Sequence, residues 1–341
     1  NFKNSYTNGA IGSPNLPAEK KIIEIPVDAD ISIAIINHKI ATYKLDEFNI
    51  NNKIIPVQQS LRKDKNPDSI KYQINENIYS SKNYIKNDLV TIYKLGTLRG
   101  RTLAHLVISP IQYNPAENCI KVYHDVDFEI VYSNYTNQNT LKIKQKAYSP
   151  YFNIIDNKLF SRLDYPNHPD LTKYPVKYLI VSDRMFESTL QSFIRWKTQQ
   201  GFKVITAYTD SIGNTYAEIQ AYIHNVYLDS TTNEPAPSFL LLVGDASQIP
   251  LIRGTASNKF TDLYYASVDG DMFPEMYYGR LSATNVGQLQ AQIDKIVYYE
   301  KYLFTNPQYL ATITLIAGAD NPCNVTHGQP TILYGKNYFF T

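Results

Sequence analysis

VKYLIVSD, residues 176–183, is where the chain changes its pattern. An unbroken apolar run of this length suits a strand buried on both faces, and such strands belong to parallel sheets covered by helices. The next residues spell a helix with Phe186, Leu190, Phe193 and Ile194 on one side and Gly201 as its stop. FKVITAYTD (202–210) is a second strand. The next helix opens near Asn214 or Thr215 and carries Ile219, Tyr222, Ile223 and Val226 as its apolar stripe. FLLLVGD (239–245) is a third buried strand, and a helix bearing Leu289, Ile293, Ile296 and Val297 leads to a fourth, ATITLIAGAD (311–320). Strand–helix alternation of this kind implies a mainly parallel, three-layer α/β sheet with right-handed crossovers. Sites in such sheets lie outside the carboxyl ends of the strands, where Asp245 and Asp320 fall.

Upstream the periodicity is that of short strands: IIEIPV, ISIAII, KIATYKL, LVTIYKL, LAHLVISPIQYN and IKVYHDVDFEIVYS, separated by polar turns. In DVDFEIVYS, Val126, Phe128, Ile130 and Tyr132 share one face, while Asp127, Glu129 and Ser133 share the other. This spacing predicts an antiparallel β-sandwich with nothing catalytic in it. Between the two patterns, residues 133–175 are rich in Pro, Asn and Lys and read as an exposed linker.

The chain has 341 residues, long for one domain, with 43% hydrophobic and 19% charged residues, so two globular domains are expected. Its 33 basic and 31 acidic residues leave a net charge of +2, which gives no footprint for nucleic acid or an anionic membrane. No apolar run is long enough to span a bilayer. The sequence opens without the apolar core of a signal peptide, so an export signal is expected to have been removed or never present. Cys119 and Cys323 are too few and too far apart for a disulfide framework.

One stretch gathers acids: TDLYYASVDGDMFPEMYYGR (261–280) sets Asp269, Asp271 and Glu275 around a Gly and a Pro. A tight loop of this kind can aim several oxygens at one point, as a hard cation such as calcium requires. It is shorter than an EF-hand loop. A solvated Asp-Gly-Asp turn has the same pattern, and the residues alone leave both readings open.

Several separated strings resemble the gingipain family of secreted cysteine peptidases, the Lys-specific branch most closely. They are Trp196-Lys197 with Gln199, Gly201 and Phe202, then YTD at 208–210 and LLVGD at 241–245. TDLYY with VDGDMFPEMY, IDK at 293–295, YEK at 299–301, and LIAGAD with GQPTILYG complete the series in order. The match runs from Leu163 to the end, and LRGRTLAHLVISPIQYNP extends a weaker one to the family's β-sandwich prodomain. The resemblance implies a prodomain with linker over 1–162 and a caspase-like α/β domain over 163–341, its first subdomain at 163–309 and the start of a second at 310–341. It implies a peptidase with a Cys nucleophile and a His base. It further implies a structural calcium bound by Asp245, Asp269, Asp271 and Glu275 with the Phe273 carbonyl, which would make the acidic loop a clamp.

In this family the catalytic His and Cys would fall beyond Thr341, so the chain alone is expected to be inactive. Cys323 with His327 does not substitute for them: the order is inverted and the spacing lies in a polar loop. Asp320 matches the aspartate that orients the catalytic His, its bland alternative being a turn or helix-cap residue. Thr331 replaces an acidic residue of the Arg-specific branch, which points to cleavage of protein or peptide substrates after Lys. The alignment puts maturation between Arg162 and Leu163, whose bland alternative is a surface arginine in a loop. By the same analogy the prodomain is the enzyme's own inhibitor, with Arg99 and Arg101 among the candidates for the blocking residue, and the protein is secreted or at the cell surface. Two other readings are a non-enzymatic binding protein on the same fold and, from Asp269-Gly-Asp271, a metal-dependent glycosyltransferase.

Overall fold

The computed structural model describes residues 6–7, 9–60, 70–85, 87–163, 174–255, 258–318 and 324–340. In the first half, β1 (Tyr6–Thr7), β2 (Pro17–Ile25), β4 (Val90–Leu98) and β5 (Arg101–Ile108) form an antiparallel sheet of order β1-β2-β5-β4. A second antiparallel sheet has the order β3-β7-β6, from β3 (Asp30–Lys44), β6 (Ile111–Asn114) and β7 (Cys119–Ser133). The sheets meet face to face. Ile23, Ile25, Val90, Ala104 and Leu106 of the first pack against Ile31, Ile33, Val126, Phe128, Ile130 and Tyr132 of the second. The alternation read in DVDFEIVYS is this inner face. ISIAII and KIATYKL, expected as two strands, are one, because register shifts between Ile35 and Lys39 absorb the polar break without ending the ladder.

The stretch expected to be a linker is structured over much of its length. Helix α1 (Asn137–Ala147) starts at Thr136, whose side chain accepts from the Asn139 amide, and it buries Thr140 and Ala147. Beyond it, Tyr151 packs edge-on to Phe239 at 4.8 Å and Phe152 lies 4.4 Å from Tyr277. Composition made the segment look exposed; its aromatic residues find partners in the second half.

There, β8 (Lys177–Ser182), β9 (Lys203–Tyr208), β10 (Phe239–Val243) and β13 (Tyr277–Leu281) pair in parallel in the order β13-β10-β8-β9. A small antiparallel pair joins β11 (Ile252–Arg253) and β12 (Phe260–Thr261). Strand residues alternate between two cores. Leu179, Val181, Leu240 and Leu242 pack on helices α3 (Tyr216–Leu228) and α4 (Leu263–Ala266) through Ile219, Ile223 and Tyr265. Ile180, Leu241 and Val243 face α2 (Glu187–Gln199) and α5 (Val286–Glu300) through Leu190, Phe193, Leu289 and Ile293. Burying each such side chain contributes about 1.5–3 kcal/mol. Helix α3 is fixed by a capping box in which Thr215 and Glu218 satisfy each other's amides.

Two strand assignments differ from the sequence expectation. β13 was not foreseen, because YYGRL is an edge strand whose tyrosines are exposed and which lacks a continuous apolar run. Conversely, residues 312–318 of ATITLIAGAD form no strand and leave Ile313, Leu315 and Ile316 exposed. An apolar run becomes a strand only where a neighbouring edge pairs with it, and these residues pair with none of the four strands. No helix among the described residues is long and apolar enough to cross a membrane.

Candidate metal centre

The acidic loop lies between α4 and β13, and its own polar atoms fold it. Ser267 Oγ donates to the Asp271 carbonyl at 2.7 Å, and the Phe273 amide donates to Asp271 Oδ1 at 2.7 Å. The Val268 amide donates to Glu275 Oε2 at 2.6 Å, while the Glu275 amide donates to the Ala266 carbonyl at 2.9 Å. Gly270, at φ 75°, supplies the left-handed turn between the two aspartates.

Glu275 is 1% exposed, and its Oε1 is buried with no hydrogen-bond partner. Burial, together with the fields of Asp269 and Asp271, pushes its carboxyl up to about 8 against the opposing effect of the Val268 amide. Burial and the neighbouring Asp271 raise Asp269 as well, while a hydrogen bond from the Thr97 side chain works the other way. Glu275 is therefore buried on a loop that also carries the half-buried Asp271 and the exposed Asp269, and one of its oxygens is left unsatisfied. A buried carboxylate in this state needs a proton or a cation. The donor set is entirely hard oxygen, which fits calcium or magnesium and not a soft metal. Among the described residues, no three His, Cys, Asp or Glu side chains stand together as a metal cluster. Asp271 is instead held by amides.

One of those amides comes from the other half of the chain. Thr97, at the end of β4, donates its N–H to Asp271 Oδ2 at 2.7 Å. Gly96 allows the approach, since a Cβ there would collide with the Asp271 carboxylate and its φ of 154° suits no side chain. Three residues on from that glycine, Arg99 is 1% exposed and donates from Nη1 to the Glu275 carbonyl at 2.9 Å. Sequence reading had no means of placing Gly96, Thr97 and Arg99 at this loop; the one available signal was Arg-Gly at a hairpin tip where Asn-Gly or Asp-Gly is usual.

Asp245 is not brought to the loop. Phe239 pairs with Tyr277 and Val243 with Leu281, so Asp245 lies past the carboxyl end of β10 while Glu275 precedes the amino end of β13. The five paired residues between those levels alone span about 13 Å at about 3.3 Å per step, more than one ion can bridge. The Asp245 carboxylate instead accepts from the Ala246 amide at 2.8 Å, within its own turn. Asp269, Asp271 and Glu275 are thus the acids carried by one loop, with the Phe273 carbonyl on the same loop.

Asp320 and Cys323 lie outside the described residues. Thr331 Oγ1 donates to the His327 carbonyl at 2.6 Å, a local helix contact. Arg162 is exposed, and the chain around it runs beside β2: Phe160 N–H donates to the Ile22 carbonyl at 2.8 Å and Glu24 N–H to the Ser161 carbonyl at 2.9 Å. The Leu163 amide donates to Glu24 Oε2 at 3.2 Å, and Lys144 pairs with Glu24 Oε1 at 2.7 Å. Arg101 is held in a two-pronged pair with Asp156 at 2.6 and 2.9 Å. Arg99 and Arg101, both candidates for blocking a cleft at the carboxyl ends of the strands, are therefore engaged elsewhere.

Residues 171–339 match the family model described as Peptidase family C25, and residues 2–156 match its propeptide, Propeptide_C25. Lys-gingipain W83 of Porphyromonas gingivalis is 37% identical over 338 residues, 98% of this chain and 20% of that protein. Gingipain R2 of Porphyromonas gingivalis (strain ATCC BAA-308 / W83) is 22% identical over 327 residues, 94% of this chain and 42% of that protein. A solved structure described as giving insight into zymogenic latency of gingipain K from Porphyromonas gingivalis is 29% identical, covering 38% of this chain and 70% of that one, with a TM-score of 0.36. The chain spans about a fifth of the length of the Lys-gingipain relatives it matches. With a propeptide match running into a peptidase match along nearly its whole length, the chain belongs to peptidase family C25.

Proposed function

We propose that this chain is the propeptide and the first part of the catalytic domain of a secreted, calcium-stabilised cysteine endopeptidase that cleaves after lysine. The observation that carries the reading is the 37% identity to a Lys-gingipain across both parts of the chain. In this reading the facing antiparallel sheets are a β-sandwich prodomain and the helix-covered parallel sheet is a caspase-like domain. Asp320 accepts a hydrogen bond from the histidine base, orienting its ring and stabilising the imidazolium formed when the cysteine is deprotonated. Thr331 in place of an acid favours a lysine over an arginine pocket.

Asp269, Asp271 and Glu275, with the Phe273 carbonyl, would hold the calcium, which supplies charge neutralisation and no step of the reaction. The orphaned Glu275 oxygen supports this assignment. Asp245 is left out of the set on the strand register. Cutting between Arg162 and Leu163 breaks the covalent link to the prodomain, whose contact with the peptidase part keeps the enzyme latent. The test is to express the complete polypeptide of the gene, mature it, and profile it on matched peptides with Lys or Arg before the cut. Thiol-sensitive cleavage after Lys is expected. Faster turnover of Arg peptides overturns the specificity, and no cleavage at all overturns the enzyme assignment.

A further inference from the structure

Arg99 sits at the tip of the β4–β5 hairpin. Leu98 pairs with Arg101, so Arg99 and Gly100 are the two loop residues, at φ 53° and 72°. Positive φ at both loop positions is the geometry that favours Asn or Asp followed by Gly, and an arginine in the first place is strained. Its side chain shows what that strain is offset by. Nε donates to the Ala147 carbonyl at 2.6 Å, Nη1 to the carbonyls of Pro237 and Glu275, the latter at 2.9 Å, and Nη2 to the Ala236 carbonyl at 2.7 Å and Ser238 Oγ at 3.3 Å. The guanidinium lies 5.1 Å from the Phe152 ring and 5.4 Å from the Tyr227 ring. Among the described residues, no carboxylate is one of its hydrogen-bond partners.

Apart from Ala147 and Phe152, these groups belong to the peptidase part. Carbonyls just before β10 and β13 converge with the Tyr227 ring on a planar, five-donor cation, an arrangement that matches the fork of arginine and not the point charge of lysine. Burying a charge this completely is tolerated only because so many of its donors are satisfied.

We propose that Ala236, Pro237, Ser238 and Glu275, with Tyr227, form a guanidinium-specific socket by which the peptidase part holds its propeptide, with Arg99 as the determinant. The socket deepens the zymogen reading above, since it names the contact that retains the propeptide after the junction is cut. It also accounts for the Arg-Gly turn, which hairpin preference alone does not.

The experiment inserts a site-specific protease sequence after Arg162 in the full chain, cuts it, and reads by gel filtration and titration how tightly the two pieces stay together. Wild-type pieces are expected to co-elute. R99A is expected to weaken their affinity by at least about tenfold, because charge-assisted hydrogen bonds across a buried contact are lost. R99K is expected to fall close to R99A. Unchanged affinity in R99A, or R99K behaving as wild type, overturns the proposal, as does separation of the wild-type pieces on cutting. Should R99A fail to fold, the cut wild-type chain decides: methylguanidinium should speed release of the propeptide more than methylammonium at equal concentration, and equal rates overturn the socket. None of these readouts uses peptidase activity, so a protein that fails to cleave lysyl peptides would leave their outcome unaffected.

Discussion

The amide of Thr97 donates to the carboxylate of Asp271 across 174 residues of sequence, at 2.7 Å. The contact exists because the residue before it has no side chain. Gly96→Ala places a methyl group against the Asp271 carboxylate and forces a φ of 154° on a residue that resists it. The expected cost is about 1–3 kcal/mol, by the overpacking and backbone terms together. Urea unfolding of the two proteins measures it, and a change within experimental error would show that the loop yields freely.

Calcium should raise the melting temperature of the full chain, and a chelator should reverse the rise. At a hundredfold excess over Kd, a ligand that binds only the folded state adds about 2.7 kcal/mol. Glu275→Gln is expected to abolish the response. Without calcium, this variant should be at least as stable as the wild type, because a Gln is neutral at no cost whereas burial forces Glu275 to take up a proton. Scanning calorimetry with and without calcium separates these outcomes, and a wild-type curve indifferent to calcium removes the assignment.

His224 gives the pH dependence a direction. Its ring lies 3.3 Å from the Tyr264 carbonyl, and burial holds its pKa below the ordinary value of about 6.5 despite the raising effect of the neighbouring carbonyls. The folded state therefore binds a proton less readily than the unfolded state. The His224 contribution is fully present above about pH 6.5 and is lost as the pH falls from there through the lower folded value, while Glu275, held up to about 8, works in the opposite sense. His105, also depressed by burial and by Lys20, adds in the same sense. Chemical denaturation between about pH 7.5 and about pH 5, a range spanning the unfolded value of about 6.5, should show His224→Gln gaining stability relative to the wild type as the pH falls.

Maturation of the complete protein should leave Leu163 at the new N-terminus. Arg162 is exposed, yet the residues on either side are tied to β2 and to Glu24 by backbone hydrogen bonds. Local opening must precede cleavage, so Glu24→Gln, which loosens the Lys144 and Leu163 contacts, is expected to speed the cut. N-terminal sequencing and a time course check the position and the rate, and a different terminal residue refutes the site.

How far the fold was legible in the sequence depends on the range of the forces involved. VKYLIVSD and FLLLVGD announce buried strands because burial on both faces is a local property of composition, and Asn214 or Thr215 announces a helix start because a cap lies within a single turn. The acids Asp269, Asp271 and Glu275 were visible because one short loop holds them together. Asp245 was grouped with them by resemblance, and only the pairing of Phe239 with Tyr277 shows that it lies at the other end of the sheet. Strand direction and register are set by distant partners, which no local pattern carries. For the same reason β13 was missed and residues 312–318 were overread: an edge strand needs little apolar sequence, and an apolar run without an edge to join is not a strand.

The Arg99–Gly100 turn also imposes an order on assembly. The hairpin is synthesised well before residues 236–238 and 275, whose carbonyls receive the guanidinium. Until those residues arrive, the arginine tip stays hydrated and its left-handed backbone is uncompensated, so the tip settles only when the second half is in place. Part of the strain at the hairpin's tip is thus offset by carbonyls of the second half, so that tip should loosen first when the two halves part.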